Sequence, residues 1–353
     1  MSSMNKKLNI LSFFSGCGFL DLGFEDAGFN VVYVNEYFKP FLEAYQYARC
    51  CLSYSEPEFG YFNGNIEECL NGPETKKITQ IIDILRKRNK GKDLVGFIGG
   101  PPCPDFSVAG KNKGHCGDNG VLTRIYVELI CFHKPDFFLF ENVKGLWRTT
   151  KHRIFYEEMK GKLALAGYIL TEKLNNSLLY GVPQDRERIL LFGVQNNLLL
   201  SPEIINEFDW DKNTKSFNPN KIADNLTVEH WFNKNDVTNH PNQMHGFIPR
   251  AGLEKFKTIM EGDVSRKSFK RLSRHKWSPT AAYGNNEVHI HPTESRRITA
   301  AEALAIQSLP KEFCLPPKMT LTNMFKTIGN GVPYLMSLGV SKNIKKFLIK
   351  GTQ

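Results

Sequence analysis

One cysteine lies in a segment whose composition suits nucleophilic chemistry. Residues 99–111 read GGPPCPDFSVAGK, with Cys103 between prolines, and they follow an apolar run over 94–98 that predicts a strand. Ligands bind beyond the carboxyl ends of strands in open α/β sheets, so this thiol would face a ligand. An isolated cysteine is more often a buried apolar residue, because a nucleophile needs an electropositive or partly exposed site. The loop continues with basic residues and glycines, so we interpret Cys103 as a nucleophile offered to an anionic substrate.

Three further charged side chains are candidates for the site. Glu141 follows the apolar run over 137–140, which places it directly after a buried strand and in the crevice that holds Cys103. A carboxyl in such a place can simply cap the next segment, but its burial also raises its pKa and lets it donate a proton near neutral pH. Arg186 and Arg188 share one face by the two-residue period of a strand, which suits them to hold a polar base edge or a phosphate.

A glycine turn near residue 16 has the features of a cofactor-binding turn. The sequence SGCG over 15–18 separates a predicted strand from a predicted helix, and glycines let backbone N–H groups approach a ligand. Glu36 stands about twenty positions on, where an acidic residue binds a ribose diol. A dinucleotide fingerprint needs a small residue where Asp21 stands. We therefore expect a ribose-bearing cofactor without phosphates, such as S-adenosylmethionine, although a plain βαβ turn would look similar.

Strands and helices alternate as far as residue 194. The predicted strands cover 8–14, 31–34, 94–98, 137–140, 168–174 and 189–194, and the predicted helices cover about 19–27, 40–49, 78–85, 122–130 and 154–166. This alternation predicts an α/β fold with a doubly wound, mostly parallel sheet and helices on both faces.

The pattern changes after about residue 195. Residues 195–270 are polar and rich in Asn and Lys, so we predict a catalytic and cofactor-binding domain over 1–194 plus 325–353 and a small domain over 195–324. Residues 250–276 contain 9 Lys and Arg against 3 Asp and Glu, an excess that suits phosphate contacts or a solvated basic face. Further on, Thr299 and Glu302 predict a capped helix, and Pro333 is expected in the first turn of the last helix.

The composition is that of a globular protein with a polyanionic partner. The chain has 353 residues, 41% of them hydrophobic, and a formal net charge of +10, which favours nucleic acid. Its eight cysteines show no zinc spacing, so we expect reduced thiols and no metal. No segment has the length of a membrane span or the form of a cleaved signal. We therefore expect a cytoplasmic protein without membrane contact.

Nine motifs in one order resemble those of the C5-cytosine DNA methyltransferase family, specifically its bacterial restriction–modification type. They are FSGCG at 14–18, Glu36, GNI at 64–66, PPC at 101–103, DNGVL at 118–122, ENV at 141–143, QDRER at 184–188, RITAAE at 297–302 and GNGVP at 329–333. The resemblance covers almost the whole chain except about 195–270. It implies the S-adenosylmethionine-dependent methyltransferase fold with a smaller, irregular target-recognition domain, and it implies that the last helix returns to the large domain.

The resemblance also implies a reaction. The Cys103 thiolate would attack C6 of a cytosine, Glu141 would protonate or hydrogen-bond N3, and Arg188, with Arg186 beside it, would hold the base through O2. C5 would then take the methyl group of S-adenosylmethionine, and loss of the C5 proton would release Cys103. The base must be flipped out of the duplex, and the basic loop over about 107–120 would close over it.

The same resemblance assigns the remaining contacts. The implied cofactor-binding residues are Phe14, Ser15, Gly16, Cys17, Gly18, Glu36, Tyr37, Asn65, Ile66, Pro102, Leu122, Asn330 and Val332. The implied DNA-binding residues are Ser107, Lys111, Lys113, Gln184, Arg271 and Arg274. Double-stranded DNA is the expected partner of a monomer associated with the nucleoid, and a cognate restriction endonuclease would act separately. Two positions depart from the usual pattern, since Asn65 replaces an Asp and Pro104 stands where many members have Gln.

Two other functions fit the same scaffold. A tRNA cytosine-5 methyltransferase is disfavoured because the variable region does not resemble the short insert of that branch. A catalytically silent DNA-binding relative is disfavoured because Cys103, Glu141 and Arg188 are all present. Asp21 and the absence of a second nucleotide-binding half argue against a nicotinamide dehydrogenase.

Overall fold

A seven-stranded sheet forms the centre of the molecule. The computed structural model describes residues 6–102, 118–248, 253–266, 268–280, 283 and 287–352. The strands are β1 Leu8–Phe13, β2 Asn30–Asn35, β3 Tyr61–Phe62, β4 Leu94–Gly99, β5 Phe137–Val143, β6 Tyr168–Asn176 and β7 Glu187–Gln195. They lie side by side in the order β3-β2-β1-β4-β5-β7-β6.

Helices connect these strands and continue through the rest of the chain. They are α1 Phe19–Asp26, α2 Lys39–Cys51, α3 Glu67–Asn71, α4 Pro73–Lys87, α5 Asp118–His133, α6 Lys144–Arg148, α7 Thr150–Leu165, α8 Val228–Lys234, α9 Leu253–Thr258, α10 Ala300–Ile306, α11 Leu321–Asn330 and α12 Tyr334–Gly351. A second, two-stranded parallel sheet pairs β8 Phe269–Arg271 with β9 Val288–Ile290. Within the described ranges no helix is long and apolar enough to cross a bilayer.

The pairing directions confirm the expected fold class. Neighbouring strands among β1 to β5 are parallel, whereas β7 is antiparallel to both β5 and β6. The α/β fold with a mostly parallel sheet is therefore confirmed. The reversed direction of β7 was not predicted, because an apolar run does not reveal which way its strand points.

Both faces of the sheet are covered, and this explains why its central strands read as continuous apolar runs. Along β1, Leu8 and Ile10 lie in the cluster that contains α12, while Leu11 and Phe13 lie in the opposite cluster with α4, α5 and α7. Asn9 and Ser12 are polar residues within β1, and both are buried. Ligands bind beyond the carboxyl ends of the strands in such sheets.

The C-terminal helix packs against the N-terminal one. The hydroxyl of Ser337 donates to the carbonyl of Leu20 at 2.5 Å, and Ser341 donates to the carbonyl of Gly23 at 2.8 Å. These bonds need close approach of the two backbones, and Gly23 permits it because it has no side chain. Helices α1 and α12, from opposite ends of the chain, therefore cover the same face of the sheet.

The part of the chain after residue 195 packs on the sheet in one place and on helices α1 and α2 in another. Phe208 and Trp210 join the cluster that contains Phe192 of β7 and Phe347 of α12. Further along, residues of α8 and α10 share a second cluster with residues of α1 and α2. The predicted boundary at residue 195 therefore stays a prediction, since the chain just beyond it packs on the sheet.

Three local details refine the expected elements. Thr299 and Glu302 form the predicted capping box, with reciprocal bonds at the start of α10. Pro333 is the residue before α12 rather than part of its first turn, because α11, which was not predicted, ends only at Asn330. Glu141 lies inside β5 rather than after it, since the antiparallel pairing with β7 continues as far as Val143.

Replacing Gly23 with Ala should destabilise the fold. The added Cβ would lie 2.5 Å from the backbone nitrogen of Leu338, so α1 and α12 would have to separate. We expect the free energy of unfolding to fall by about 1–3 kcal/mol, the usual cost of overpacking. Gly161 of α7 is the matched control, since a Cβ there meets nothing within 4 Å. Gly161→Ala should be neutral or stabilising in the same denaturation experiment, and an unchanged G23A protein would contradict this description.

Candidate active site

A buried ion pair lies at the edge where β5 and β7 meet. Their antiparallel register places Val143 opposite Arg188. Arg188 Nε lies 2.9 Å from Glu141 Oε1, and the two side chains are only 12% and 10% exposed. Burial raises the pKa of Glu141, and the guanidinium groups of Arg188 and Arg186 oppose that rise. The carboxyl can therefore hold a proton more readily than an exposed glutamate, while a movable cation stays beside it.

The backbone that leads to Cys103 passes directly over this carboxylate. A Cβ built on Gly100 would lie 2.6 Å from Glu141 Oε2, so only glycine fits there without displacing the carboxyl group. Gly100 follows β4 and precedes the two prolines at 101–102. Sequence reasoning noted the glycine but did not assign it this role. Cys103, Ser107, Lys111 and Lys113 lie outside the described residues.

Arg186 has a different environment from Arg188. It is fully buried, and its Nη2 donates to the carbonyls of Gly329 at 2.9 Å and Asn330 at 3.2 Å. These are the last two residues of α11, where helix carbonyls carry a partial negative charge. Burial and the nearby Arg188 lower the pKa of Arg186, and Glu141 opposes that effect. Arg186 thus ties the start of β7 to the turn that carries Val332.

The glycine turn after β1 is held in shape by Glu36. Gly16 and Gly18 have φ of +57° and +88°, which favour glycine. Glu36 Oε2 accepts from the backbone N–H of Gly16 at 2.9 Å, and its Oε1 accepts from that of Phe38 at 2.8 Å. Burial raises the pKa of Glu36, and these N–H groups partly offset the rise. The predicted turn and its acidic partner are therefore brought together.

Two side chains of the turn itself are enclosed. The Ser15 hydroxyl is buried, and none of the described groups lies within hydrogen-bonding distance of it. Cys17 is also buried, and burial raises the pKa of its thiol to about 12. Cys17 is thus a packing residue, whereas the Ser15 hydroxyl retains its capacity to bond a ligand.

A polar network behind the turn explains Asp21. Its carboxylate accepts from Ser12 Oγ at 2.8 Å and from the Tyr45 hydroxyl at 2.9 Å, and burial raises its pKa to about 6. The Tyr45 ring in turn lies 2.7 Å from where a Cβ on Gly18 would be. Asp21, which departs from the dinucleotide fingerprint, is therefore part of the buried support behind the turn. Its side chain points inward and supports the ring that packs against Gly18.

The other expected cofactor residues lie around the carboxyl edge of the sheet. Asn65 Oδ1 accepts from the N–H of Glu67 at 3.1 Å, so its side chain bonds the backbone where α3 begins. Asn35, which sequence reasoning did not assign, donates to the carbonyls of Phe62 and Gly64 and fixes that loop. The ring of Phe14 meets that of Tyr126 edge-on, with centroids 5.8 Å apart. The remaining expected residues differ in exposure: buried are Ile66 and Val332, half-buried is Leu122, and exposed are Tyr37, Pro102 and Asn330.

Two of the residues expected to bind DNA are buried. Arg271 is 5% exposed, and its guanidinium donates to five backbone carbonyls, those of Phe256, Ile259, His291, Pro292 and Glu294. The expectation that Arg271 contacts phosphate is corrected, because its donors are used inside the protein. Gln184 is also fully buried, beside Ser278. Arg274 is exposed and paired with Glu261 at 3.1 Å.

Comparison with known proteins identifies the family. A family model for C-5 cytosine-specific DNA methylases matches residues 8–346. The chain belongs to this family. It is 54% identical over 362 residues to the Type II methyltransferase M.NmeDI of Neisseria meningitidis serogroup C. The match covers 97% of this chain and 84% of that protein. It is also 29% identical to M.MthTI of Methanothermobacter thermautotrophicus, over 97% of this chain and 98% of the relative.

A solved structure has the same fold as this methylase. A DNA modification methyltransferase encoded within an E. coli prophage superposes with a TM-score of 0.67 at 21% identity, over 97% of this chain and 99% of that one. In the part of this methylase that the structure describes, no cluster of three His, Cys, Asp or Glu residues could hold a metal ion.

Replacing Gly100 with Ala should slow methyl transfer. The new Cβ would displace the Glu141 carboxylate, and misplacing a catalytic group by about 1 Å costs roughly 10²-fold in rate. Single-turnover methylation of plasmid DNA measures the effect, and thermal unfolding of the same variant shows whether the fold is retained. Gly161→Ala is again the control and should keep the normal rate. A folded G100A enzyme with an unchanged rate would contradict the placement of Glu141.

Proposed function

We propose that this chain is a site-specific DNA (cytosine-5-)-methyltransferase, the modification half of a Type II restriction–modification system. It transfers the methyl group of S-adenosylmethionine to C5 of a flipped cytosine through a covalent Cys103 intermediate. The observation that carries the proposal is the buried Glu141–Arg188 pair, with Gly100, which follows β4, lying against the carboxyl group of Glu141. The name of its 54% identical relative, a Type II methyltransferase, supports the same function.

The proposed chemistry begins by making cytosine electron-rich. A bond forms between Cys103 Sγ and C6, and the electron pair of the C5=C6 bond moves toward N3. Glu141 donates its proton to N3, so the ring carries no net negative charge, and Arg188 donates hydrogen bonds to O2. S-adenosylmethionine, when bound, supplies a sulfonium methyl group for which C5 is then nucleophilic. The C5 proton then passes to water, and the electron pair of the C5–H bond re-forms the C5=C6 double bond. The C6–Sγ bond breaks with its electrons on Cys103, and N3 returns its proton to Glu141.

The ion pair gives Glu141 a way to gain its proton when the base arrives. In the free protein Arg188 lowers the pKa of Glu141 and burial raises it. A cytosine that takes the Arg188 guanidinium through O2 draws that cation away from the carboxylate. The pKa of Glu141 then rises further, which favours the protonated acid that N3 needs.

The turn between β1 and α1 fits a ribose-bearing cofactor. The Ser15 hydroxyl is buried without a protein partner among the described residues, and the backbone at Gly16 and Gly18 leaves room for close approach. Glu36 would bind the ribose hydroxyls, because each of its oxygens accepts one N–H and keeps a further lone pair. Asn65 and Ile66 would flank the adenine. Phe14, Cys17, Tyr37, Pro102, Leu122, Asn330 and Val332 would complete the site.

The proposed substrate is double-stranded DNA, bound by one chain with one active site. Ser107, Lys111 and Lys113 of the loop after Cys103, together with exposed Arg274, remain the proposed DNA contacts. Gln184 would have to become exposed to take part, because it is buried here. A cognate endonuclease would act as a separate protein, and the cytoplasm is the expected location.

Bisulfite sequencing tests this function and names its target. Plasmid DNA and total tRNA are taken from cells that express the wild type or a Cys103→Ser variant. We expect one short DNA motif to be methylated by the wild type and to stay unmethylated in the variant. Methylated tRNA with unmethylated DNA would contradict the DNA substrate. Unmethylated DNA and tRNA, with cofactor binding intact, would indicate a silent binding protein.

A further inference from the structure

A basic segment follows β5, the strand that carries Glu141, and the proposed reaction does not use it. Residues 144–153 read KGLWRTTKHR, with four Lys or Arg and no acidic residue, and the next acidic residue is Glu157. The segment includes α6 and the start of α7. Such a run can be a solvated helix surface, so its position relative to the active site decides what it does.

We propose that Lys144, Arg148 and Lys151 form a phosphate-binding rim, which holds the DNA backbone beside the flipped cytosine. This inference rests on the proposed function and adds the partner surface next to its active site. We call these three residues the basic rim.

The basic rim is connected to the active site through Glu187. Lys144 Nζ lies 2.8 Å from Glu187 Oε2, and Arg148 Nη2 lies 3.1 Å from Glu187 Oε1. Glu187 directly precedes Arg188, which would hold the base. Successive side chains of a strand point to opposite faces, so Glu187 and its two cations do not share a face with Arg188. Lys144 directly follows β5, the strand that carries Glu141, so these cations lie at the same strand end as the active site. DNA whose flipped base reaches Glu141 and Arg188 would bring its neighbouring phosphates to this strand end.

The charges of the basic rim are only partly neutralised. Lys144 and Arg148 share the single carboxylate of Glu187, and their side chains are 46% and 55% exposed. Exposed ion pairs contribute little to stability, so a phosphate can compete for these cations. Lys151 is also exposed, and the ion pairs of the described residues do not include it. The basic rim therefore has an excess of positive charge.

The fourth cation of the segment is engaged in the protein. Arg153 pairs with Glu157 at 2.7 Å and Glu172 at 3.3 Å. Its guanidinium also lies over the Trp147 ring, 4.9 Å from the centroid. Arg153 thus fixes α7 against its neighbours, and we leave it out of the basic rim.

The start of α7 adds to the attraction for anions. Thr149 precedes this 16-residue helix without a side-chain cap, and its first turn contains no acidic residue. The free N–H groups of a helix N-terminus favour negative charge. Lys151 lies in this first turn, so its ammonium group and the helix pole act on the same region.

Salt-dependent DNA binding tests the basic rim. The dissociation constant for a fluorescent duplex is measured by anisotropy over a range of KCl concentrations, for the wild type and for Lys144→Gln/Arg148→Gln. Each lost phosphate contact reduces the slope of log K against log salt by about 0.9. We expect a slope smaller by about 2, with equal weakening on cognate and non-cognate duplexes because phosphates carry no sequence information. Glu187→Gln should have the opposite effect and strengthen binding, since it frees both cations.

The control variant removes two positive charges from the amino ends of the parallel strands, opposite to the active site. Lys90 and Lys92 are exposed and precede β4, so they lie at its amino end. Lys90→Gln/Lys92→Gln should keep the wild-type slope, and cofactor titration checks that every variant is folded. If the wild type methylates DNA but the rim and control variants bind alike, the basic rim is wrong and the proposed function stands. If the wild type binds no duplex, the proposed function is wrong.

Discussion

The buried carboxylate of Glu141 is the constraint on which the rest of the site depends. A charged group at this depth needs a partner, and Arg188 on the neighbouring strand supplies it at 2.9 Å. That contact exists because β7 is antiparallel to β5, so that a side chain near the start of β7 meets one near the end of β5. Gly100 then lets the loop from β4 pass over the carboxylate.

Arg186, which directly precedes β7, and Arg188 of β7 connect the base side of the site to its cofactor side. Arg188 faces the catalytic carboxylate, while Arg186, two residues earlier, bonds the carbonyls at the end of α11. The turn after α11 leads into α12, which packs on α1 beside the glycine turn. A shift of the start of β7 would therefore disturb both the base side and the cofactor side of the proposed site.

Sequence reasoning found the residues that end strands, because apolar runs and the polar residues after them are visible in a single chain. Glu36, Glu141 and the capping box at Thr299 are of this kind. It missed features that depend on tertiary contacts. The carbonyls around Arg271 and the Tyr45 hydroxyl that bonds Asp21 come from other segments of the chain, so the sequence alone does not show that these two charges are buried.

Covalent trapping would detect the proposed bond between Cys103 and the cytosine. A duplex that carries 5-fluorocytosine at the methylated position is incubated with the protein and S-adenosylmethionine, and intact-mass analysis follows. Fluorine cannot leave C5 as the proton does, so the bond between Cys103 and C6 should persist, and peptide mapping should locate the adduct on Cys103. Cys103→Ser should give none. A wild-type protein that methylates the unmodified duplex but forms no adduct with the fluorinated one would contradict the account.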